Sequence, residues 1–404
     1  MTQRELLMTD KMTPVELQSS LALALVFFLR MMGLFLILPV FVLYAEQLRG
    51  ATPTLIGIAL GSYGLTQAVF QIPFGAFSDR IDRKTVISAG LLIFIAGSIM
   101  AALAQSIYIV ILGRALQGAG AIAAAIMALA ADLTRDTQRS KAMALIGISI
   151  GISFSLSFVI GPVLNPFIGV PGLFFLSAGL ALLAIAILYT LVPVPERHLL
   201  LPEQRTQAGQ LGAVLVEPQL QRLYISIFIL HLLLISNFVA IPLALRDAAG
   251  LDPARHWEVY LPVLVISGLI MVPFLLLGER YNKVSVFFSG AVALMIIAQF
   301  GLYFGHSSLL QITVFLLLFF VSFNYLEATL PALITRYAPR SGKGTALGVY
   351  STSQFLGTFC GGVSGGHIYE RFGLGSVFFF GGILAALWLG ALLFMQKPME
   401  HKRL

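Results

Sequence analysis

The sequence predicts an all-α membrane protein of twelve spanning helices. Three observations lead there: the balance of apolar and charged residues, the recurrence of apolar runs long enough to cross a bilayer, and the placement of the basic residues. Of 404 residues, 58% are hydrophobic and only 11% are charged. A soluble domain carries roughly 25% charged residues. Such a chain could not cover its surface in water, so lipid is its solvent.

A span needs about 20 apolar residues. The sequence offers twelve such runs, at 18–44, 54–78, 85–104, 107–131, 140–163, 172–192, 219–244, 257–278, 284–304, 308–334, 344–368 and 374–395. The short turns at Gln105–Ser106 and Gly305–Ser307 force antiparallel hairpins. An even count leaves both termini on one side. With the N-terminus inside, 19 of the 25 basic residues fall on the cytoplasmic side. Arg49, Arg246, Arg255 and Arg371 fall outside, and Arg30 and Arg114 within spans. That bias predicts cytoplasmic termini in a cell inner membrane. The +7 net charge is therefore no sign of a nucleic-acid partner. Residues 1–17 are polar and the first apolar run is too long for a signal peptide, so no cleaved leader is expected.

Cys360 is the single cysteine, which excludes an internal disulfide and a thiol metal cluster. No phosphate loop or His-Glu-x-x-His occurs, and no nucleophile elbow is read: the Gly-x-Ser-x-Gly strings at 147–151 and 362–366 lie inside apolar runs rather than at a strand-to-helix turn. The expectation is a non-enzyme without cofactor or metal, driven by an ion gradient rather than by ATP.

The longest polar stretch between spans, 194–217, divides the chain into a six-helix half over 1–193 and another over 218–404. The halves echo one another. Arg139-Ser-Lys141 with Gly147 opens span 5, and Arg340-Ser-Gly-Lys343 with Gly348 opens span 11. Leu173-Phe174-Phe175-Leu176 in span 6 is matched by Val377-Phe378-Phe379-Phe380 in span 12. Two pseudo-symmetric bundles would hold a substrate site near the midplane.

The segment Gly75-Ala-Phe-Ser-Asp79-Arg80-Ile-Asp82-Arg83-Lys84 resembles the G-x-L-x-D-R-x-G-R-K loop of the major facilitator superfamily, departing from it at Asp82. Arg114-Ala-Leu-Gln117-Gly118-Ala-Gly120-Ala resembles its R-x-x-Q-G-x-G-A motif. Gly147, Gly151 and Gly161-Pro162 resemble its span-5 glycine series, although Ser157 and Asn165-Pro166 replace expected glycines. Together these features resemble the twelve-helix drug:proton antiporter branch over essentially the whole chain. Tyr63-Gly-Leu-Thr-Gln67, Gln71-Ile-Pro-Phe74 and Tyr350 to Gly357 look especially like the bacterial YajR-type multidrug transporters. That type can carry a further soluble domain. This chain ends at Leu404, so none is expected.

The resemblance implies a monomeric transporter exchanging small amphipathic compounds for protons. A facilitator-type importer of a sugar or other solute is the alternative, followed by a non-transporting membrane sensor. Sparse charge within the spans argues against the importer. The sensor reading lacks an appended signalling domain.

Gly75 would let span 2 approach another helix. Asp79, at the cytoplasmic end, could latch onto the positive end of span 11, worth about 0.3–1 kcal/mol and up to roughly 2 when partly buried. Asp82 could weaken the basic cluster or compete with Asp79 for it. Arg80, Arg83, Asp132 and Arg135 could join this charge network or be solvated. Gly161-Pro162 would bend span 5.

Ionisable groups inside spans are functional candidates. Arg30, Arg114, His231 and Glu327 are these. Glu327 is the single carboxylate well inside a span, and its desolvation makes it the first candidate for carrying a proton. His231 has a suitable intrinsic affinity, against the plainer reading of a structural donor. Arg114 could take part in proton transfer, as the resemblance implies, or bond carbonyls. Arg30 could bind an anionic group or pair with a carboxylate. Candidates for lining the substrate cavity are Met31, Phe35, Tyr63, Gln67, Gln71, Gln117, Asn237, Tyr350 and Gln354. Tyr63, Gln67 and Gln71 share one helix face. Apolar walls with few polar anchors suit amphipathic molecules.

Overall fold

The computed structural model describes residues 11–78, 80–194, 208–339 and 342–394, all helices and short connections. Asp79, Arg340, Ser341 and most of the 194–217 stretch lie outside the described residues. Backbone amides and carbonyls have no partner in hydrocarbon, so a helix that satisfies them internally is the stable solution.

The helices in chain order are α1 (Pro14–Phe35), α2 (Leu38–Ala45), α3 (Pro53–Ser78), α4 (Arg83–Ala102), α5 (Ile107–Ala119), α6 (Ala123–Asp132) and α7 (Arg139–Thr190). They continue as α8 (Ala208–Val216), α9 (Pro218–Leu243), α10 (Trp257–Arg280), α11 (Val284–Gly305), α12 (Leu309–Tyr337), α13 (Lys343–Phe372) and α14 (Leu374–Phe394). Among the described residues, ten helical stretches are long and apolar enough to cross a membrane. The 52-residue α7 holds two spans. The glycine-rich α13, 30 residues long, completes the predicted twelve.

Local chemistry sets the ends and breaks. Thr13 caps α1 with a reciprocal box: its hydroxyl accepts from the Glu16 amide and the Glu16 carboxylate accepts from its own amide. Pro39 has no N–H to offer and its ring crowds the carbonyl of Phe35, so the first span breaks between α1 and α2. Asp82 caps α4, accepting from the Thr85 amide and hydroxyl at 3.0 Å each. The residue that departs from the loop motif thus serves as a helix cap.

Dihedrals at Gly161-Pro162 stay helical, and α7 leaves the helical region at Gly169, between its two spans, with φ 66° and ψ 174°. A glycine takes that conformation without a Cβ clash. Gly161 instead admits the Leu36 carbonyl at the α1–α2 break: a Cβ there would lie 2.3 Å from that oxygen.

The contacts divide into two compact units, one of residues 1–41 and 65–205, the other of 42–64 and 206–404. In the first, α1 lies along α7, where Ser157 and Ser177 donate to the carbonyls of Met32 and Gly33 at 3.2 and 2.7 Å. Helices α4 and α5 approach so closely that a Cβ on Gly113 would sit 2.9 Å from the Gly97 carbonyl. In the second unit α13 packs on α9, and α11 packs on α12 and α14. Trp388 donates to Ser226 at 3.0 Å and Asn324 to Ser267 at 3.0 Å.

Candidate functional site

Within the second unit three helices bring together a carboxyl, an imidazole and a carboxamide. Gln354 of α13 places its Nε2 3.1 Å from Oε1 of Glu327 on α12 and 2.8 Å from Nε2 of His231 on α9. His231 Nδ1 lies 3.9 Å from Glu327 Oε2. The Phe323 ring, one turn before Glu327, tilts against the imidazole at 5.7 Å. Glu327 Oε2 and the Tyr350 hydroxyl are shut off from solvent yet make no hydrogen bond. The Glu327 side chain as a whole is 36% exposed. Unsatisfied buried oxygens are what a visiting donor or proton would engage. Asn237 on α9 is likewise buried, with both amide atoms unpartnered.

The proton candidates Glu327 and His231, which the sequence named separately, are thus brought to one place with Gln354. The shared amide was not legible, because Gln354 lies 123 residues from His231. Tyr63 stands in the same unit, edge-on to Phe355 at 6.3 Å, and is almost fully buried.

In the first unit the two intramembrane arginines are held by amides and carbonyls. Arg30 is fully buried and donates to Gln67 Oε1 at 2.9 Å and to the Gly120 carbonyl at 3.3 Å. It lies 5.7 Å from the Phe94 ring centre and 3.6 Å from Met31 Sδ. Gln67 passes the contact on to Gln71 at 3.5 Å, as their shared face predicts. Arg114 donates to Gln117 Oε1 at 2.8 Å, and Gln117 Nε2 donates to Ser98 at 2.7 Å. Both ends of Gln117 are therefore committed and the residue is fully buried. It holds Arg114 instead of offering a free anchor to a cavity. Phe35 packs edge-on against Phe154 at 5.1 Å.

The charged cluster at the end of α6 is resolved into pairs. Arg83, at the start of α4, forms an ion pair with Asp132 through Nε and approaches its second oxygen at 3.5 Å. Arg135 does not join that pair but binds Glu16 of α1. Gly75 meets Ala124 of α6 at a distance that would leave a Cβ 3.3 Å from its methyl. Arg80 is exposed, and Asp79 lies outside the described residues.

No group of His, Cys, Asp or Glu suited to a metal occurs among the described residues. Comparison with known proteins agrees with the architecture. Residues 23–326 and again 223–404 match the Major Facilitator Superfamily. The chain is 48% identical over 388 residues to the inner membrane transport protein YajR of Escherichia coli K12, covering 96% of this chain and 85% of that one. It is 27% identical over 350 residues to the multidrug resistance protein MdtH of Aeromonas hydrophila, covering 86% and 87%. A solved bacterial homologue of the human lysosomal transporter Spinster superposes with a TM-score of 0.79 at 14% identity, over 95% of this chain and 97% of that one. This last likeness speaks for the fold alone. With its twelve spans and a family match along nearly its whole length, the chain belongs to the major facilitator superfamily and is a membrane transporter rather than an enzyme.

Proposed function

We propose that this transporter exports small amphipathic compounds in exchange for protons by alternating access, with Glu327 as a protonation site. The observation that carries the reading is the Glu327–Gln354–His231 cluster, an ionisable pair bridged by one amide inside apolar helices. Intramembrane carboxylates mark ion and proton pathways. The name of the MdtH relative, a multidrug resistance protein, points to the same class of compound. The distribution of basic residues supports an inner-membrane protein with both termini cytoplasmic. A monomer would suffice for this cycle. Asp79 is the proposed cytoplasmic latch on the positive end of α13.

The test is transport by the purified protein in proteoliposomes under an imposed pH gradient, against a panel of lipophilic cations and sugars. The expected result is movement of a lipophilic compound with opposite movement of protons, and loss of the proton movement in E327Q. Sugar uptake without response to the cations, or unchanged compound-driven proton flux in E327Q, would overturn the proposal.

A further inference from the structure

The Gln354 amide touches two titratable groups through a single atom. Its Nε2 lies 3.1 Å from Glu327 Oε1 and 2.8 Å from His231 Nε2. An amide nitrogen carries two hydrogens and an amide oxygen carries none. With nitrogen in that position, both neighbours must accept. Glu327 then presents a lone pair on Oε1, and His231 presents the lone pair of Nε2 and keeps its hydrogen on Nδ1. Turning the amide over brings its oxygen to nearly the same place. Both neighbours must then donate: the carboxyl carries a hydrogen, and the imidazole carries its hydrogen on Nε2.

Mixed states are disfavoured. If one neighbour changes alone, a donor faces a donor or an acceptor faces an acceptor; a hydrogen on Glu327 Oε2 would leave Oε1 free to accept, but it would be a buried donor with no acceptor, facing the Nδ1–H of His231 at 3.9 Å. Such a contact leaves a buried polar atom without a partner, which is disfavoured. We infer that Gln354 is a positioning residue that ties the protonation of Glu327 to the tautomer of His231 through the orientation of one amide.

The proton count closes. Passing from the first arrangement to the second, the carboxyl takes one proton from water. The imidazole gives up its Nδ1 hydrogen and gains one on Nε2, staying neutral. The cluster gains one proton net and no buried imidazolium is formed, which would be costly to desolvate. The titratable groups meeting here are Glu327 from α12, His231 from α9 and Tyr350 from α13, whose hydroxyl is buried with no hydrogen bond. From α10 comes the uncharged Ser267, bound to Asn324 three residues before Glu327.

This inference rests on the reading of Glu327 as a protonation site, and the experiment separates the two. In lipid vesicles the Glu327 carboxyl stretch is followed by infrared difference spectroscopy across pH, identified by its loss in E327Q. The His231 tautomer is followed by nitrogen-15 NMR of labelled histidine, identified by its loss in H231N. In the unaltered protein the imidazole should pass from Nδ1–H to Nε2–H over the pH range in which Glu327 titrates. In Q354L, and in the closely isosteric Q354M, Glu327 should still titrate while the tautomer no longer follows it. The carboxyl midpoint should move by about one pH unit, a tenfold change in proton affinity. A melting temperature near that of the unaltered protein identifies the variant that folds. A tautomer change that keeps step with Glu327 in either folded variant would overturn the role of Gln354. So would a fixed tautomer in the unaltered protein while Glu327 titrates. Absence of any titrating Glu327 band would overturn the protonation site itself, and the inference with it.

Discussion

Arg135 grips Glu16 at three points: Nε to Oε1 at 2.8 Å, Nη2 to Oε2 at 3.0 Å, and its own backbone amide to Oε1 at 2.9 Å. The same carboxylate completes the capping box of α1. One side chain therefore fixes where the first helix begins and ties that end to the segment after α6. The Glu16 carboxyl is held well below the usual carboxylate range, at about 2, chiefly by the Arg135 guanidinium.

Glu16→Gln keeps the shape and removes the charge. The expected outcome is a melting temperature in detergent lowered by a few degrees, with transport retained in the cold. Glu16 gains stability from its charge above the unfolded carboxyl range, and that gain is lost as pH falls toward 2. The difference between Glu16→Gln and the unaltered protein should therefore shrink in acid, as thermal melts across pH would show.

Asp132→Asn tests the Arg83 pair. The Arg83 side chain is 9% exposed and that of Asp132 37%, so solvent screens only one partner well. Replacing the carboxylate should cost about 1.5 kcal/mol, the lower end of the range for hydrogen bonds to charged groups. Chemical denaturation reads this directly, and an unchanged midpoint would show that water replaces the pair.

Gln117→Leu separates packing from substrate contact. It removes the acceptor of Arg114 and the donor to Ser98. Loss of a hydrogen bond to a charged group costs about 1.5–3 kcal/mol. Stability should fall while KM for any transported compound stays constant. A shifted KM with unchanged stability would return Gln117 to the cavity lining.

Two glycine substitutions should have opposite signs. A Cβ on Gly57 would lie 2.0 Å from the Gly362 carbonyl, backbone against backbone within the second unit. Gly57→Ala should cost roughly 1–3 kcal/mol by overpacking. Gly147 has nothing within 4 Å of its Cβ position. Gly147→Ala should stabilise by about 0.5–1 kcal/mol through helix propensity. Melting temperatures of the two variants, measured side by side, check both.

The candidate residues were legible one by one, their pairings were not. Glu327 and His231 stood out because an ionisable group in an apolar run is rare and costly. Gln354 and Ser98 carried no such mark, since polar uncharged residues are common in these spans. Arg135 was grouped with Asp132 by its nearness in sequence, yet its partner is Glu16, 119 residues away. Asp82 looked like a flaw in a loop motif and proved to be a helix cap, a role its place just before a helix could have suggested.

The sequence by itself determined the solvent and the number of crossings, because these depend on composition and run length. Only the tertiary structure decided which face of each helix turns inward, and so which polar atoms meet. The reason is physical. Lipid and protein interior are both apolar, so a spanning helix carries little of the one-sided pattern that marks the buried face in water. The rotation that brings Gln354 between His231 and Glu327 is set by packing of α9, α12 and α13, and is read from coordinates rather than from hydropathy.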